Sequence, residues 1–202
     1  MSISLHNFEN PGQPPPVPDR RFTVEEYRRM GAAGVLDEDD RVELLEGWIV
    51  PKMNRSPLHD AHIECVDGCL IRLIPDGWRV RMKSAISTLD SVPEPDLAVV
   101  RGDARQRSAH HPLAADVALV VEVADASLAL DRSLKSRLYS RADIPWYWIV
   151  NLSDKCVEVF GEPDSAAQHP GYRWSKIYRG KEAVPLIVEG VAYGTASANC
   201  LV

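Results

Sequence analysis

The sequence lacks a basic excess, a long apolar run and any CxxC cysteine pair. Lys and Arg number 23 against 29 Asp and Glu, a net charge of −6. That balance excludes a surface coated with cations to hold nucleic acid non-specifically, while leaving room for a local basic patch. Apolar runs such as Val117 to Val121 fall far short of the roughly 20 residues that span a bilayer, so no membrane association is expected. The amino terminus shows no basic stretch leading into an apolar one, the mark of a secretory signal. Cys65, Cys69, Cys156 and Cys200 then read as reduced, packed thiols, and a cytoplasmic location is the expectation. GxSxG, P-loop and GxGxxG patterns are also missing. Nucleophilic-serine, nucleotide and dinucleotide mechanisms thereby lose their usual support.

What is present suffices for one ordinary domain: 202 residues, 45% of them hydrophobic. Five of the eight residues from Pro11 to Pro18 are proline, so residues 1–20 read as a flexible arm and residues 21–202 as the domain. Thr23 followed by Glu26 is a capping box opening a short helix that Gly31 or Gly34 ends. Arg41 to Met53 predicts a hairpin turning at Glu46-Gly47. Ile63 to Ile74 has a helical apolar period, stopped by Pro75-Asp76-Gly77. Trp78 to Leu89 alternates as a half-buried strand with a basic outer face. Leu97 to Val100 and Val117 to Val123 read as central strands covered on both faces. Ser127 to Ala142 predicts a helix with Leu130, Leu134 and Leu138 on its inner side, ending before Ile144-Pro145. Trp146 to Leu152 and Cys156 to Phe160 form a second hairpin, and the remainder reads as loop and edge strand. The fold class is a mixed sheet flanked by helices, α/β or α+β.

Two carboxylates are oddly placed for purely structural residues. Asp96 follows Pro93-Glu94-Pro95 at the head of a strand, and Glu122 interrupts Leu119-Val120-Val121-Glu122-Val123. An ionised Glu in a central strand costs several kcal/mol unless paired or bound to metal. Adjacent strands lie about 4.8 Å apart, so two such groups could share one Mg²⁺, an ion that favours hard oxygen ligands. The plainer alternative is a Glu at a sheet edge paired with Arg or Lys. Glu43, taken alone, is a solvated strand residue. Asp131, Lys135 and Tyr139 share one helix face, which by itself means a helix salt bridge. Arg132, Lys135, Arg137 and Arg141 against Asp131 make a local basic patch. His59 and His62 have a zinc-compatible spacing with no third ligand motif to match.

In order along the chain, several segments resemble a large bacterial family of restriction-endonuclease type in the PD-(D/E)XK nuclease superfamily. They are Phe22-Thr23-Val24-Glu25-Glu26-Tyr27, Arg41-Val42-Glu43-Leu44-Leu45-Glu46-Gly47, Glu94-Pro95-Asp96-Leu97-Ala98-Val99-Val100 and Val120-Val121-Glu122-Val123-Ala124-Asp125-Ala126-Ser127. His62, Asp131-Arg132 with Lys135 and Tyr139, Ile144-Pro145, Tyr147-Trp148-Ile149-Val150 and Val157-Glu158-Val159 complete the run, over roughly residues 21–185. The resemblance implies a restriction-endonuclease-like fold and Mg²⁺-dependent cleavage of DNA, with Mn²⁺ as substitute. Asp96 looks like the motif's Asp and Glu122 like its Asp/Glu. The motif's lysine would fall at Ala124, so Lys135 of the following helix is implied in its place.

On this resemblance Asp96, Glu122, the Val123 backbone carbonyl and Glu43 hold the metal. Lys135 orients the attacking water and stabilises the developing charge, while His62 and Tyr139 line the site. A homodimer is expected, because Trp146 to Val150 is richer in aromatics than one small sheet easily covers and two strands need two sites. Two other readings compete: a catalytically idle protein that keeps the fold to bind DNA or a protein, and a small-molecule hydrolase using Glu122 and His62.

Overall fold

A computed structural model describes residues 20–53, 56–102 and 110–202. The proline-rich arm expected over residues 1–20 lies, but for Arg20, outside the described residues. Thr23 caps α1 (Val24–Ala32) through a complete capping box with Glu26. The first hairpin follows as β1 (Val42–Leu45) and β2 (Trp48–Pro51), with Leu45 opposite Trp48. Both turn residues, Glu46 (φ 50) and Gly47 (φ 81), are left-handed, the backbone a tight two-residue hairpin requires. A Cβ at Gly47 would also come within 2.7 Å of Arg21 Cβ.

Helix α2 (Pro57–Ile71) starts six residues earlier than its apolar period suggests. Ser56 caps it by accepting from the His59 N–H, and Pro57 occupies the first turn, where its missing N–H costs nothing. Strand β3 (Trp78–Met82) is shorter than expected, because Lys83 turns the chain with φ 46. Then come β4 (Leu97–Arg101), β5 (Val117–Ala124), β6 (Trp146–Asn151), β7 (Cys156–Asp164) and β8 (Gly171–Arg179). Together these strands form one six-stranded sheet, ordered β3-β4-β5-β6-β7-β8, antiparallel except for the parallel β5–β6 pair. The carboxyl-terminal region expected as loop and edge strand supplies β8, at the edge of that sheet, and beyond it the hairpin of β9 (Ala183–Val188) and β10 (Val191–Ser197). Val184, Leu186 and Val188 of β9 point inward with the period of two that half-buried strands show.

Every residue of β5 is buried, and its two faces serve two different cores. Leu119, Val121 and Val123 pack with α2 and β9, whereas Val120 and Ala124 pack under the helix that links β5 to β6. That helix is not regular. α3 (Leu128–Leu130), a π-helical turn (Asp131–Lys135) and α4 (Ser136–Arg141) run on as one stretch. The widened turn changes which residues face the sheet. Asp131, Lys135, Leu138 and Tyr139 are buried, whereas Leu130 and Leu134 of the expected leucine stripe are only partly so.

The aromatic residues of β6 are covered by the chain itself. Tyr147 and Trp148 are fully buried, and Trp146 lies edge-on to Trp174 at 5.8 Å. The argument for a dimer from uncovered aromatics therefore loses its premise. No helix among the described residues is long and apolar enough to cross a membrane.

Candidate active site

Strand register sets the two oddly placed acids side by side. Leu97 pairs with Val121 and Ala98 with Val120, and one further step along that register puts Asp96 opposite Glu122. The Asp96 N–H points at Glu122 Oε2 from 3.4 Å, and the Val123 N–H donates to Asp96 Oδ2 at 2.9 Å. Because a strand residue turns its N–H and C=O to the same edge, the Val123 carbonyl faces the Asp96 side. Glu122 shares the sheet face of Val120 and Ala124, the face covered by α3 and α4.

From that helix Lys135 reaches down to Glu122 Oε1 at 2.9 Å, and Tyr139 donates its hydroxyl to the same oxygen at 2.7 Å. Ala124, two residues beyond Glu122 on the same face, carries only a methyl group. Asp131, one turn before Lys135, sits with Oδ1 at 3.8 Å from its ammonium and takes the Ser127 hydroxyl on Oδ2 at 2.6 Å. Glu43 comes from β1, on the face of Leu45, and is anchored by the Glu94 N–H at 3.0 Å. It is buried rather than solvated, with 5% exposure.

These groups surround one cavity of about 90 Å³, lined by Glu43, Asp96, Glu122 and Lys135 together with His59, Asp125 and Ser127. The space is enough for several waters. His62, expected to line it, sits a turn further along α2 with Nδ1 against the Leu58 carbonyl at 2.8 Å, and is not among the lining residues. His59 lies there instead, its Nε2 3.2 Å from Asp96 Oδ2. The Ser56-Pro57 start of α2 was the signal that could have found it, since His59 follows directly in the first turn.

The electrostatics of the cavity are unbalanced. Four buried carboxylates, Glu43, Asp96 and Glu122 on the cavity wall and Asp131 behind Lys135, have Lys135 as the one buried ammonium among the described residues. Burial, with the nearby Asp96 and Asp131 charges, pushes Glu122 up to about 8 against the pull of Lys135. Burial likewise raises Asp131. Burial opposes the charge on Lys135, but Glu122, Glu43 and Asp131 outweigh it and hold its pKa above the ordinary lysine value. A protonated Glu122 and a Lys135 shift that draws on an ionised Glu122 conflict if only that pair is considered. Glu43 and Asp131 add to the pull that keeps Lys135 charged, while burial favours a proton on Glu122. A cavity with this excess of carboxylates suits a divalent cation. Among the described residues no three His, Cys, Asp or Glu side chains already stand as a metal-ligand group.

The basic patch on the helix is largely neutralised within the fold. Arg132 holds Glu158 with two hydrogen bonds, and Arg137 holds Glu46 with two, at 3.0 and 2.7 Å. Arg141 pairs with Asp90 and Glu46.

The family Uma2, described as "Putative restriction endonuclease", matches residues 24–192. No curated protein matches. Among solved structures, a protein from Anabaena variabilis ATCC 29413 titled "putative nuclease belonging to DUF820" is similar with a TM-score of 0.62 and 13% identity. The similarity covers 89% of this chain and 97% of that one.

Proposed function

The chain belongs to the Uma2 family, described as putative restriction endonucleases, and on that premise we infer that it is a Mg²⁺-dependent endonuclease hydrolysing DNA phosphodiester bonds. One observation carries the reading: the buried side chains of Glu43, Asp96, Glu122 and Lys135, from four separate segments, line a single cavity. Asp96, Glu122 and the Val123 carbonyl would hold the ion, with Glu43 beside them. When bound, the ion would polarise the phosphate and lower the pKa of the attacking water. Lys135 meets the charge that develops on the phosphate in the transition state, the kind of preorganised stabilisation that contributes most in a water-poor site. Tyr139 holds the Glu122 carboxylate in position by its 2.7 Å hydrogen bond, and His59 does the same for Asp96.

Cutting both strands of a duplex needs two such sites, so the reading includes a two-fold pair of chains; light scattering giving only 22.5 kDa particles contradicts that part. The test of function is incubation with supercoiled, linear and single-stranded DNA in Mg²⁺ or Mn²⁺, beside Glu122→Ala. Metal-dependent cleavage lost in Glu122→Ala supports the reading. DNA bound but never cut, under any of these conditions, instead favours an idle fold, the alternative that Ala124 at the signature lysine position keeps open.

A further inference from the structure

Asp131 is the buried acid to which the proposed reaction gives no part. It is 1% exposed, and it is not on the cavity wall, where Glu43, Asp96 and Glu122 stand. A carboxylate buried to that degree is costly unless hydrogen bonds and a counter-ion offset it.

Its two oxygens are engaged unequally. Oδ2 takes the Ser127 hydroxyl at 2.6 Å, whereas Oδ1 is buried and accepts no hydrogen bond among the described residues. The Lys135 ammonium stands 3.8 Å from Oδ1, about 1 Å beyond the roughly 2.7–2.9 Å of a charge-assisted hydrogen bond. The backbone of Asp131 is held in place. Its carbonyl accepts the buried Tyr147 hydroxyl at 3.1 Å and the Ser136 N–H that closes the π turn. Lys135, at the other end of that turn, carries its charge on a flexible stem with three rotatable donors. Of the two partners it is the lysine that can close the gap.

In the structure Lys135 donates to Glu122 Oε1 at 2.9 Å. Glu122 is also one of the acids that would hold the metal ion, so a single carboxylate has two claimants. Glu43, whose charge also acts on Lys135, lines the cavity beside Glu122 and would answer to the ion as well. Of the four acids grouped at the site, only Asp131 stands off the wall.

We propose that Asp131 is a positioning residue and the second partner of Lys135: as the cavity takes up a divalent cation, the ammonium leaves Glu122 Oε1 and closes onto Asp131 Oδ1. The shift frees Glu122 Oε1 for the ion while the ammonium stays paired at the cavity wall. Tyr139, which donates to the same Glu122 oxygen at 2.7 Å, continues to orient that carboxylate. The proposal rests on the metal-dependent reading above and adds what the lysine does as the ion binds.

The experiment is a double-mutant cycle read in Mn²⁺ affinity by titration calorimetry, with the melting temperature in EDTA as the check on folding. Asp131→Asn keeps the shape of the side chain and removes its charge. Alone it should weaken Mn²⁺ binding on the order of tenfold, the scale set by a residue that supports a metal ligand, because Lys135 then stays on Glu122. In a Lys135→Ala background, with no ammonium to re-seat, the same substitution should change affinity by less than about threefold. Asp76→Asn and Lys181→Gln, in exposed turns away from the cavity, should bind Mn²⁺ as the unmodified chain does. A tenfold loss that persists in the Lys135→Ala background means that Asp131 acts on the ion directly as a charge, and overturns the proposal. So does an Asp131→Asn chain that binds Mn²⁺ as tightly as the unmodified one. Because Asp131→Asn could fold poorly, a second arm needs no variant. A crystal structure of the unmodified chain with Mn²⁺ should show Lys135 Nζ within about 3 Å of Asp131 Oδ1 and no longer bonded to Glu122. Lys135 still on Glu122 beside bound Mn²⁺ overturns the proposal and leaves the metal site standing. An unmodified chain that binds no Mn²⁺ overturns the metal-dependent reading and the proposal with it.

Discussion

Replacing Lys135 with Ala removes the ammonium 2.9 Å from Glu122 Oε1 and 3.8 Å from Asp131 Oδ1. Two effects follow, of different size. On folding, an ionised carboxylate left buried without its partner costs on the order of 3–5 kcal/mol. Glu122 avoids much of that below about pH 8, because it can hold a proton, so the variant should fold at pH 7 and lose stability chiefly above pH 8. On turnover, loss of one preorganised charge stabiliser is expected to slow the chemical step by roughly 10²–10³. Affinity for Mn²⁺ should be retained or improved, since a cation has been removed from among the acids. The assay is single-turnover nicking of supercoiled DNA at saturating Mn²⁺, with Mn²⁺ binding measured alongside. Lys135→Arg should rescue poorly, because a planar guanidinium does not fit where a compact ammonium sat, and Lys181→Ala is the inert comparison. Nicking by Lys135→Ala within about threefold of the unmodified chain refutes the assignment of the transition-state role to this lysine.

Other expectations follow from the same geometry. With Glu122 raised from 4.5 to about 8, the native chain binds more protons than the unfolded chain between those values, so its stability in EDTA falls as pH rises through that window; a melting temperature flat from pH 5 to 8 contradicts this. Mn²⁺ must displace that proton, so affinity should climb about tenfold per pH unit and level off near pH 8, as titration calorimetry in two buffers would register through proton release. Arg137→Ala leaves Glu46, at the turn of the hairpin that carries Glu43, with only Arg141 at 3.4 Å; Arg137 is 45% exposed, so the global cost should stay near 1 kcal/mol or less, while hydrogen exchange in β1 and β2 accelerates. Thr23→Ala removes a capping box and should cost about 1 kcal/mol, about 2–4 °C in melting temperature for a chain of this size.

Glu122 was legible because an acid inside a valine-rich strand is costly unless paired or bound to metal, and Asp96 because Pro93-Glu94-Pro95 delivers it to a strand head. Lys135 was legible only through the resemblance. Spacing alone made it a salt-bridge partner of Asp131, whereas the closer contact, to Glu122, arises because β5 and the helix are stacked. The π turn over Asp131–Lys135 is the feature periodicity could not show: one widened turn rotates the leucine stripe aside and turns two charged residues inward. Such turns often mark functional sites. Glu43 read as solvated since a strand's outward face looks the same whether water or another segment covers it. The misplaced histidine has a simpler cause. Apolar period put the start of α2 at Ile63, but Ser56 and Pro57 start it by capping, before any apolar residue repeats. Arg137 illustrates the same limit, since the sequence places it in a local basic patch and tertiary packing gives it Glu46.

The central claim is that Glu43, Asp96, Glu122 and Lys135 frame a divalent-cation site, and Mn²⁺ titration of the unmodified chain beside Asp96→Asn and Glu122→Gln tests it most directly. One Mn²⁺ bound per unmodified chain, and at least tenfold weaker binding in each variant, is the predicted result. Equal affinity in all three proteins would contradict it.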